Sequence, residues 1–281
     1  MRLVKASRAV AVLSTEENLQ NAILRAVHEI MSETVITDVR RALEAGDAQA
    51  ALDAIRFDLG EAEMERLIPR AIRDAYEAGG EAAAAELRTH FQLINPEALA
   101  YVRQRAADLI SDFGASSKEA IVNLIHESIG GEMTPSELAN EIVETGIGLN
   151  ERQTQAQTNY RDALEADENL TARQVEQRAE AYYERQLEYR SRMIARTEVI
   201  AAETRGNQEL WRQAGERGLV DRGRAVQEWR FADEDACPIC EELDETTAPI
   251  GGSFHGGFTG PPAHPNCRCL VVLLPFGQGA E

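Results

Sequence analysis

Residues 171–215 read TARQVEQRAEAYYERQLEYRSRMIARTEVIAAETRGNQELWRQAG and decide the fold class of the chain. The stretch is rich in Ala, Glu, Leu, Arg and Gln, which are the residues of high helix propensity. Its apolar residues recur at spacings of three and four, and Thr171 is a suitable N-cap. The pattern predicts one helix from Thr171 to about Gly215, with or without a bend.

The helical pattern extends towards the N-terminus as far as Ser14. Ser14 and Glu17 have the spacing of a capping box, which predicts that a first long helix begins there. Gly46, followed by aspartate, is a suitable stop for this helix. Most of the chain between Ser14 and Gly218 is therefore predicted to be helical.

Further boundaries lie between these two helices. Asn95-Pro96 and Thr134-Pro135 each place a cap residue before a first-turn proline, and Asn150 is another N-cap. Glycine-containing breaks at 114–117 and 130–131 predict separate helices between them. Their expected ranges are 97–112 and 117–129.

The composition changes after Gly218, where glycine and proline become frequent and all four cysteines occur. The runs AVQEWRF at 225–231 and CLVVLLP at 269–275 have the β-branched and aromatic character of strands. We expect a mainly α protein, with an elongated multi-helix body and a small C-terminal α+β module closed by a zinc-binding β-hairpin. The expected divisions are a helical region at 1–150, long helices at 151–218 and the C-terminal module at 219–281.

Five potential metal ligands flank the two predicted strands. The pattern Cys237-Pro-Ile-Cys240 places two thiols across a tight turn, and His264-Pro-Asn-Cys267-Arg-Cys269 adds an imidazole and two more thiols. Tetrahedral zinc prefers such sulfur and nitrogen donors from two separate short loops. Disulfides would require an oxidising compartment and would leave the histidine unexplained.

Spacing alone does not select four ligands from these five donors. One set is the four cysteines, and in the other His264 replaces Cys267 or Cys269. His255 is an outside candidate. A zinc ion with four protein ligands is structural, since a catalytic zinc keeps a position open for water.

Motifs of common enzyme classes are missing from the sequence. There is no P-loop, no dinucleotide-binding glycine pattern, no G-x-S-x-G and no H-E-x-x-H. Zinc deaminases need a glutamate two residues after a ligand histidine, and Asn266 holds that position after His264. These absences favour a protein that is not an enzyme.

Composition also limits the partners of the 281-residue chain. A net charge of −19 makes direct binding to nucleic acid an unfavourable main function, because such binding needs clustered Lys and Arg. The N-terminal apolar run AVAVL is too short for a membrane span or for a secretory signal. No membrane association is therefore expected.

The motifs from residue 192 onward form a recognisable series. In chain order they are RMIARTE at 192–198, Gly206-Asn207, Gly215, Trp229, Asp233, Cys237-x2-Cys240, Leu243-Asp244, Pro261-Pro262 and HPNCRC at 264–269. As a set they resemble the phage head-morphogenesis family of minor head proteins, which phages Mu and SPP1 typify. The similarity is close over about the last ninety residues and looser upstream. One departure is Glu245, where the family has glycine, and it falls in the turn beyond Cys240.

This resemblance implies a minor capsid protein without catalytic activity. It implies binding to the portal protein during prohead assembly in the host cytoplasm, with the major capsid or scaffold protein as further partners. In the virion the protein would stay near the portal vertex and support DNA packaging or delivery.

Four further residues are candidates for structural or interaction roles. Arg196 and Glu198 are expected to tie their helix to the C-terminal module near Asp233, or else to form a surface for the portal. Trp229 is expected to pack within the module. The rival hypothesis is a metal-dependent hydrolase or nuclease that uses the Cys/His donors or Asp233, Asp235 and Glu241.

Overall fold

A computed structural model describes residues 2–91, 96–128, 133–231 and 237–274, and of residues 2–12 only the backbone. The described chain is mainly helical with a small C-terminal sheet, as predicted. The helices are α1 (Arg2–Glu33), α2 (Ile36–Glu44), α3 (Ala48–Asp53), α4 (Phe57–Glu86), α5 (Pro96–Ser128), α6 (Pro135–Glu141), α7 (Glu151–Glu165), α8 (Ala172–Glu216) and α9 (Pro238–Leu243). The strands are β1 (Val226–Arg230), β2 (Thr247–Pro249) and β3 (Leu270–Leu274).

Several predicted helix starts are confirmed by their caps. Thr134 and Glu137 form a full capping box at the start of α6, and Asn150 and Gln153 form another at α7. The Thr171 hydroxyl accepts from the Gln174 N–H at 3.3 Å, and α8 then runs without interruption to Glu216. α5 begins at Pro96 as predicted, while its expected cap Asn95 lies outside the described residues.

The predicted helix from Ser14 to Gly46 is wrong at its start and in its middle. α1 already includes the residues before Ser14, since that alanine- and valine-containing run continues the helical pattern. The helix then ends before Thr34 and Val35. The Thr34 hydroxyl donates to the Ile30 carbonyl at 2.6 Å and accepts from the Arg56 N–H at 3.1 Å. The stop at Gly46 is confirmed, and this glycine has a φ of 72°.

The predicted break at 114–117 is also wrong, because α5 continues through it. An interior glycine costs about 1 kcal/mol relative to alanine, which tertiary packing can offset. Buried Arg190 of α8 donates to the hydroxyls of Ser116 and Ser117, so these residues serve packing instead of ending the helix. The expected break at 130–131 lies outside the described residues.

The C-terminal sheet has three strands in the order β2-β1-β3, and both pairings are antiparallel. The predicted pairing of the two longer strands is confirmed, with Trp229 opposite Val271. They are not consecutive, however, so the predicted hairpin is wrong. Strand β2 was not predicted, since Thr247–Pro249 is short and ends in proline.

The chain divides into two compact units that are not continuous in sequence. The helical unit consists of residues 21–67 and 107–191, and the mixed unit consists of residues 1–20, 68–106 and 192–281. The C-terminal module belongs to the mixed unit. The predicted divisions at 150 and 218 do not coincide with these units, and they stay a prediction.

In the mixed unit, α4 and α8 cross at glycines. A Cβ atom on Gly79 would lie 2.1 Å from the Glu203 carbonyl oxygen, and one on Gly206 would lie 2.0 Å from that of Tyr76. Both distances are far inside van der Waals contact, so the two backbones touch directly. Beyond this crossing, Leu210 and Trp211 pack into one apolar core with Trp229 and the cysteines of the C-terminal module.

Candidate metal centre

The first two candidate ligands are presented by α9. Cys237 is the N-cap of this helix, with Pro238 in the first turn, and its carbonyl accepts from the Glu241 N–H at 2.9 Å. Cys240 lies one turn further and is buried. A proline in the first turn fixes φ for the helix start, so the C-P-I-C sequence itself sets the relative position of the two thiols.

The other three candidates lie in the segment before and at the entry to β3. Cys267 and Cys269 are buried, and His264 is partly exposed. Within the described residues, two trios have all their donor atoms within 4.8 Å of one another: Cys237, Cys240 and His264, and Cys240, Cys267 and Cys269. Cys240 is common to both trios. The structure therefore places each of the five donors predicted from the sequence in one of these two trios.

The donor atoms lie close together, and one of their distances is that expected for two sulfurs on one zinc ion. His264 Nε2 lies 3.1 Å from Cys237 Sγ and 3.2 Å from Cys240 Sγ. Cys240 Sγ and Cys267 Sγ are 3.8 Å apart. Two sulfurs bound to one tetrahedral zinc at about 2.3 Å would be separated by about 3.8 Å.

The four cysteines are free thiols, so none is in a disulfide. Burial raises the pKa of Cys240 to about 12. A hydrogen bond from the Cys269 thiol lowers the pKa of Cys267 to about 5, and the same contact raises the pKa of Cys269. A cation would favour ionisation of the buried donors, since thiolates are the metal-binding form.

Trp229 provides a separate test of whether a metal fits. Its indole N–H is buried and makes no hydrogen bond of ordinary geometry with the described residues. It lies near the Cys269 sulfur, and this contact opposes the rise in the pKa of that thiol. Binding of a cation displaces the thiol protons, and the resulting thiolate sulfurs are better acceptors for this N–H than thiols are. The residues present therefore fit a soft divalent ion such as zinc.

Carboxylates are not part of either trio within the described part of the chain. Glu241 is exposed on α9, and Asp233 and Asp235 lie outside the described residues. His255 occupies an exposed 3-10 turn at His255–Gly257 and belongs to neither trio. The donor set is thus sulfur and imidazole, which is typical of structural zinc.

Arg196 links α8 directly to the metal-ligand segment. Its Nη1 donates to the Asn266 side-chain oxygen at 2.6 Å, and its Nη2 lies 3.0 Å from a Glu16 carboxylate oxygen. The backbone N–H of Asn266 donates to the Thr197 hydroxyl at 2.9 Å. The two α8 residues therefore fix Asn266, which stands between ligand candidates His264 and Cys267.

Glu198 has a different contact from the expected one. It accepts two hydrogen bonds from Arg105 of α5, at 2.5 and 2.7 Å, and α5 is not part of the C-terminal module. The expected neighbour Asp233 lies outside the described residues. Trp229 is fully buried, and its ring centroid lies 5.3 Å from that of Phe254 in an edge-to-face arrangement, which fits its expected packing role.

Sequence reasoning missed Asn266 and Thr197 as positioning residues. Asn266 has a φ of 63°, in the left-handed region that asparagine tolerates better than most residues. An asparagine within H-P-N-C was therefore a signal for a tight turn. Nothing local in the sequence indicated that its partner would be a threonine on a distant helix.

Comparison with known proteins gave no match to a protein-family model, to a curated protein or to a solved structure. Along the described ranges, no helix has both the length and the apolar character needed to cross a membrane. The resemblance to phage head proteins thus stays a prediction, and the geometry of the centre has to support any function on its own.

Proposed function

We propose that this chain is a phage minor head protein whose C-terminal module is closed by a structural zinc ion. The observation that carries the proposal is the bonding between two of the motifs behind the resemblance. Arg196 and Thr197 of the RMIARTE segment both bond Asn266 of the HPNCRC segment. In such a protein these two segments would act as one unit, which accounts for their joint occurrence.

Glu245 gives further support. It replaces the family glycine, and its φ of 60° lies in the left-handed region where glycine has no steric penalty. Its carboxylate accepts from Arg230 of β1 at 2.8 Å. The one departure from the motif thus falls at a position whose backbone geometry suits glycine.

A structural role for the ion follows from the donor count. The two trios that share Cys240 consist of sulfur and imidazole donors, and a zinc ion with four such protein ligands keeps no position open for a catalytic water. The protein would bind the portal protein during prohead assembly and remain near the portal vertex, with capsid or scaffold protein as further partners. Its charge of −19 suits a component that lies beside packaged DNA without adhering to it.

The first test is mass spectrometry of purified virions, combined with a pull-down of the full chain against the portal protein. We expect the protein in the virion and in the portal complex. Val35→Ala, an exposed substitution in the helical unit, serves as a control that should leave both results unchanged. Absence from both virion and portal complex would overturn the head-protein proposal.

The second test addresses the hydrolase or nuclease alternative. We expect one tightly bound zinc per chain and no cleavage of DNA or peptide by the zinc-loaded protein. Metal-dependent cleavage that is lost in Asp233→Ala, while zinc content is unchanged, would replace the structural proposal with an enzymatic one.

A further inference from the structure

A small groove lies between α7 and α8 in the helical unit. It has a volume of about 200 Å³, and we call it the arginine groove. The side chains that line it are those of Tyr160, Gln174, Gln177, Arg178, Ala181 and Arg185. We propose that the arginine groove binds a mononucleotide, with the phosphate on the two guanidinium groups and the base against Tyr160. None of its lining residues belongs to the mixed unit, so this site is separate from the proposed zinc site.

The arginine groove is cationic within an acidic part of the chain. The helical unit has 27 acidic and 12 basic residues, yet no carboxylate of the described residues lines this groove. Neither Arg178 nor Arg185 forms an ion pair with another described residue. A second cavity in the same unit, also of about 200 Å³, is lined by both Glu151 and Arg152. The arginine groove lacks such a neighbouring carboxylate, which favours an anionic ligand.

The donors of the arginine groove lie on one face of α8. Arg178, Ala181 and Arg185 are three and four positions apart, and the small side chain of Ala181 leaves room between the two arginines. Guanidinium groups bind phosphate oxygens through paired hydrogen bonds. Gln174 lies one turn earlier, and its Oε1 accepts from the N–H and from the hydroxyl of Thr171, both at 2.9 Å. Its Nε2 is thereby left to donate to a ligand oxygen.

Tyr160 provides an aromatic surface for a base. Its ring stacks on that of Tyr182, with centroids 4.4 Å apart and an interplanar angle of 25°. Arg185 Cζ in turn lies 5.7 Å from the Tyr182 ring centroid. These contacts hold the Tyr160 ring and the guanidinium in place before a ligand binds, which reduces the entropic cost of binding. Bases of every kind stack on such rings, because each has a π-face.

Size and charge favour a single nucleotide over a nucleic-acid strand. Pockets that enclose drug-sized ligands have about 300–1,000 Å³, so the smaller arginine groove covers no more than one base and its phosphate. Strands bind where many lysines and arginines neutralise successive phosphates. The acidic excess of the helical unit would repel the further phosphates of a strand. A mononucleotide brings only the one phosphate that the two arginines can neutralise.

Titration calorimetry of the full chain at physiological salt tests the ligand class. The probes are adenosine 5′-monophosphate (AMP), adenosine, inorganic phosphate and a short single-stranded oligoadenylate. We expect AMP to bind with a Kd below about 1 mM, and at least about tenfold more tightly than adenosine or phosphate, because stacking and charge both contribute. No binding of AMP would overturn the site. Equal affinity for AMP and phosphate would overturn the role of Tyr160, and tighter binding of the oligoadenylate would replace the mononucleotide with a strand.

Arg178→Gln and Arg185→Gln test the phosphate contacts. Each should weaken AMP binding about 10-fold or more, since a hydrogen bond to a charged group is lost. Both arginines are exposed, so circular dichroism should show an unchanged fold. Arg152→Gln is the matched control, because it removes an exposed arginine of the same unit that lines the other cavity. Unchanged affinity in the two groove variants, or an equal loss in the control, would overturn the assignment of Arg178 and Arg185.

Tyr160→Leu tests the stacking contact, because it keeps an apolar side chain and removes the ring. AMP affinity should fall about 5- to 150-fold, while the weaker affinity for inorganic phosphate should not change. An unchanged AMP affinity, or an equal loss for phosphate, would overturn the role of Tyr160 in holding the base. Zinc content and portal binding should be the same in all these variants, so a failure here would leave the proposed function standing.

Discussion

The helical unit and the C-terminal module reach a folded state by different means. In the helical unit, residues such as Ile121 and Ile142 are fully buried between helices, and buried Arg190 bonds a carbonyl and two hydroxyls. The strands of the C-terminal module have five, three and five residues, and four cysteines lie in or beside its core. A segment with so little sheet usually needs a metal or disulfides for stability.

Removal of the proposed zinc ion should produce the largest effect. Structural zinc contributes about 10–16 kcal/mol of apparent binding energy in small zinc domains. After treatment with a strong chelator, we expect amide protons of β1 and β3 to exchange rapidly, while those of α5 and α7 remain protected. Hydrogen exchange with mass spectrometry would show this, and added zinc should restore protection. Equal protection with and without zinc would contradict a metal-dependent module.

The converse experiment removes apolar contact from the helical unit. Ile121 is fully buried, so Ile121→Ala should lower the free energy of unfolding by about 2–5 kcal/mol. Denaturant titration followed by circular dichroism measures the loss, and metal analysis should show unchanged zinc content. Val35→Ala is the matched control, because Val35 is 52% exposed and should change stability by no more than about 0.5 kcal/mol.

A substitution on α8 tests how far the metal centre depends on a helix outside the C-terminal module. Thr197→Val keeps the side-chain shape and removes the acceptor for the Asn266 N–H. Zinc affinity, measured by competition with a chelating dye, should fall about 10- to 100-fold. Thr154→Val is the control, since the buried Thr154 hydroxyl in the helical unit has no hydrogen-bond partner among the residues that the structure describes. Equal affinities in both variants would mean that Thr197 does not position the metal ligands.

The smallest expected effect concerns a buried carboxyl group in the helical unit. Burial raises the pKa of Glu141, while the Thr158 hydroxyl, which donates to it at 2.6 Å, and nearby Arg161 oppose the rise. The folded state then binds a proton more strongly than the unfolded state, so stability falls as pH rises from the ordinary glutamate pKa through the raised one.

Glu141→Gln keeps an acceptor for Thr158 and removes this charge. It should flatten the decline of stability with pH and add about 1 kcal/mol or less at pH 7. Denaturant titrations between pH 4 and 8 would show the difference. A steeper decline in the variant would contradict the assignment of Glu141.

Local signals in the sequence predicted the features that depend on local structure. The capping boxes at Thr134 and Asn150 are formed by residues three apart, and both are present. The cluster of cysteines and histidine was also predictable, because residues can bind one metal ion only where their donor atoms lie close together. Gly114 was misread, since the contacts that keep α5 continuous come from other parts of the chain.

Contacts between distant residues were beyond prediction for the same reason. The Arg196 to Asn266 bond spans 70 positions, and the Arg105 to Glu198 pair spans 93. Arginines and glutamates are frequent on these helices, so composition offers many equivalent pairings. The choice among them depends on how the helices pack, which no short pattern records.

The glycine of the crossing and the residues that bond Asn266 lie on the same helix, α8. Together these contacts fix the rotation of α8 about its own axis. Gly206 stands ten positions after Arg196, a rise of about 15 Å along α8. One residue inserted between them would rotate Arg196 by about 100° relative to the crossing. The Arg196 guanidinium would then no longer reach Asn266. The number of residues between Arg196 and Gly206 therefore has to stay constant if both contacts are to form.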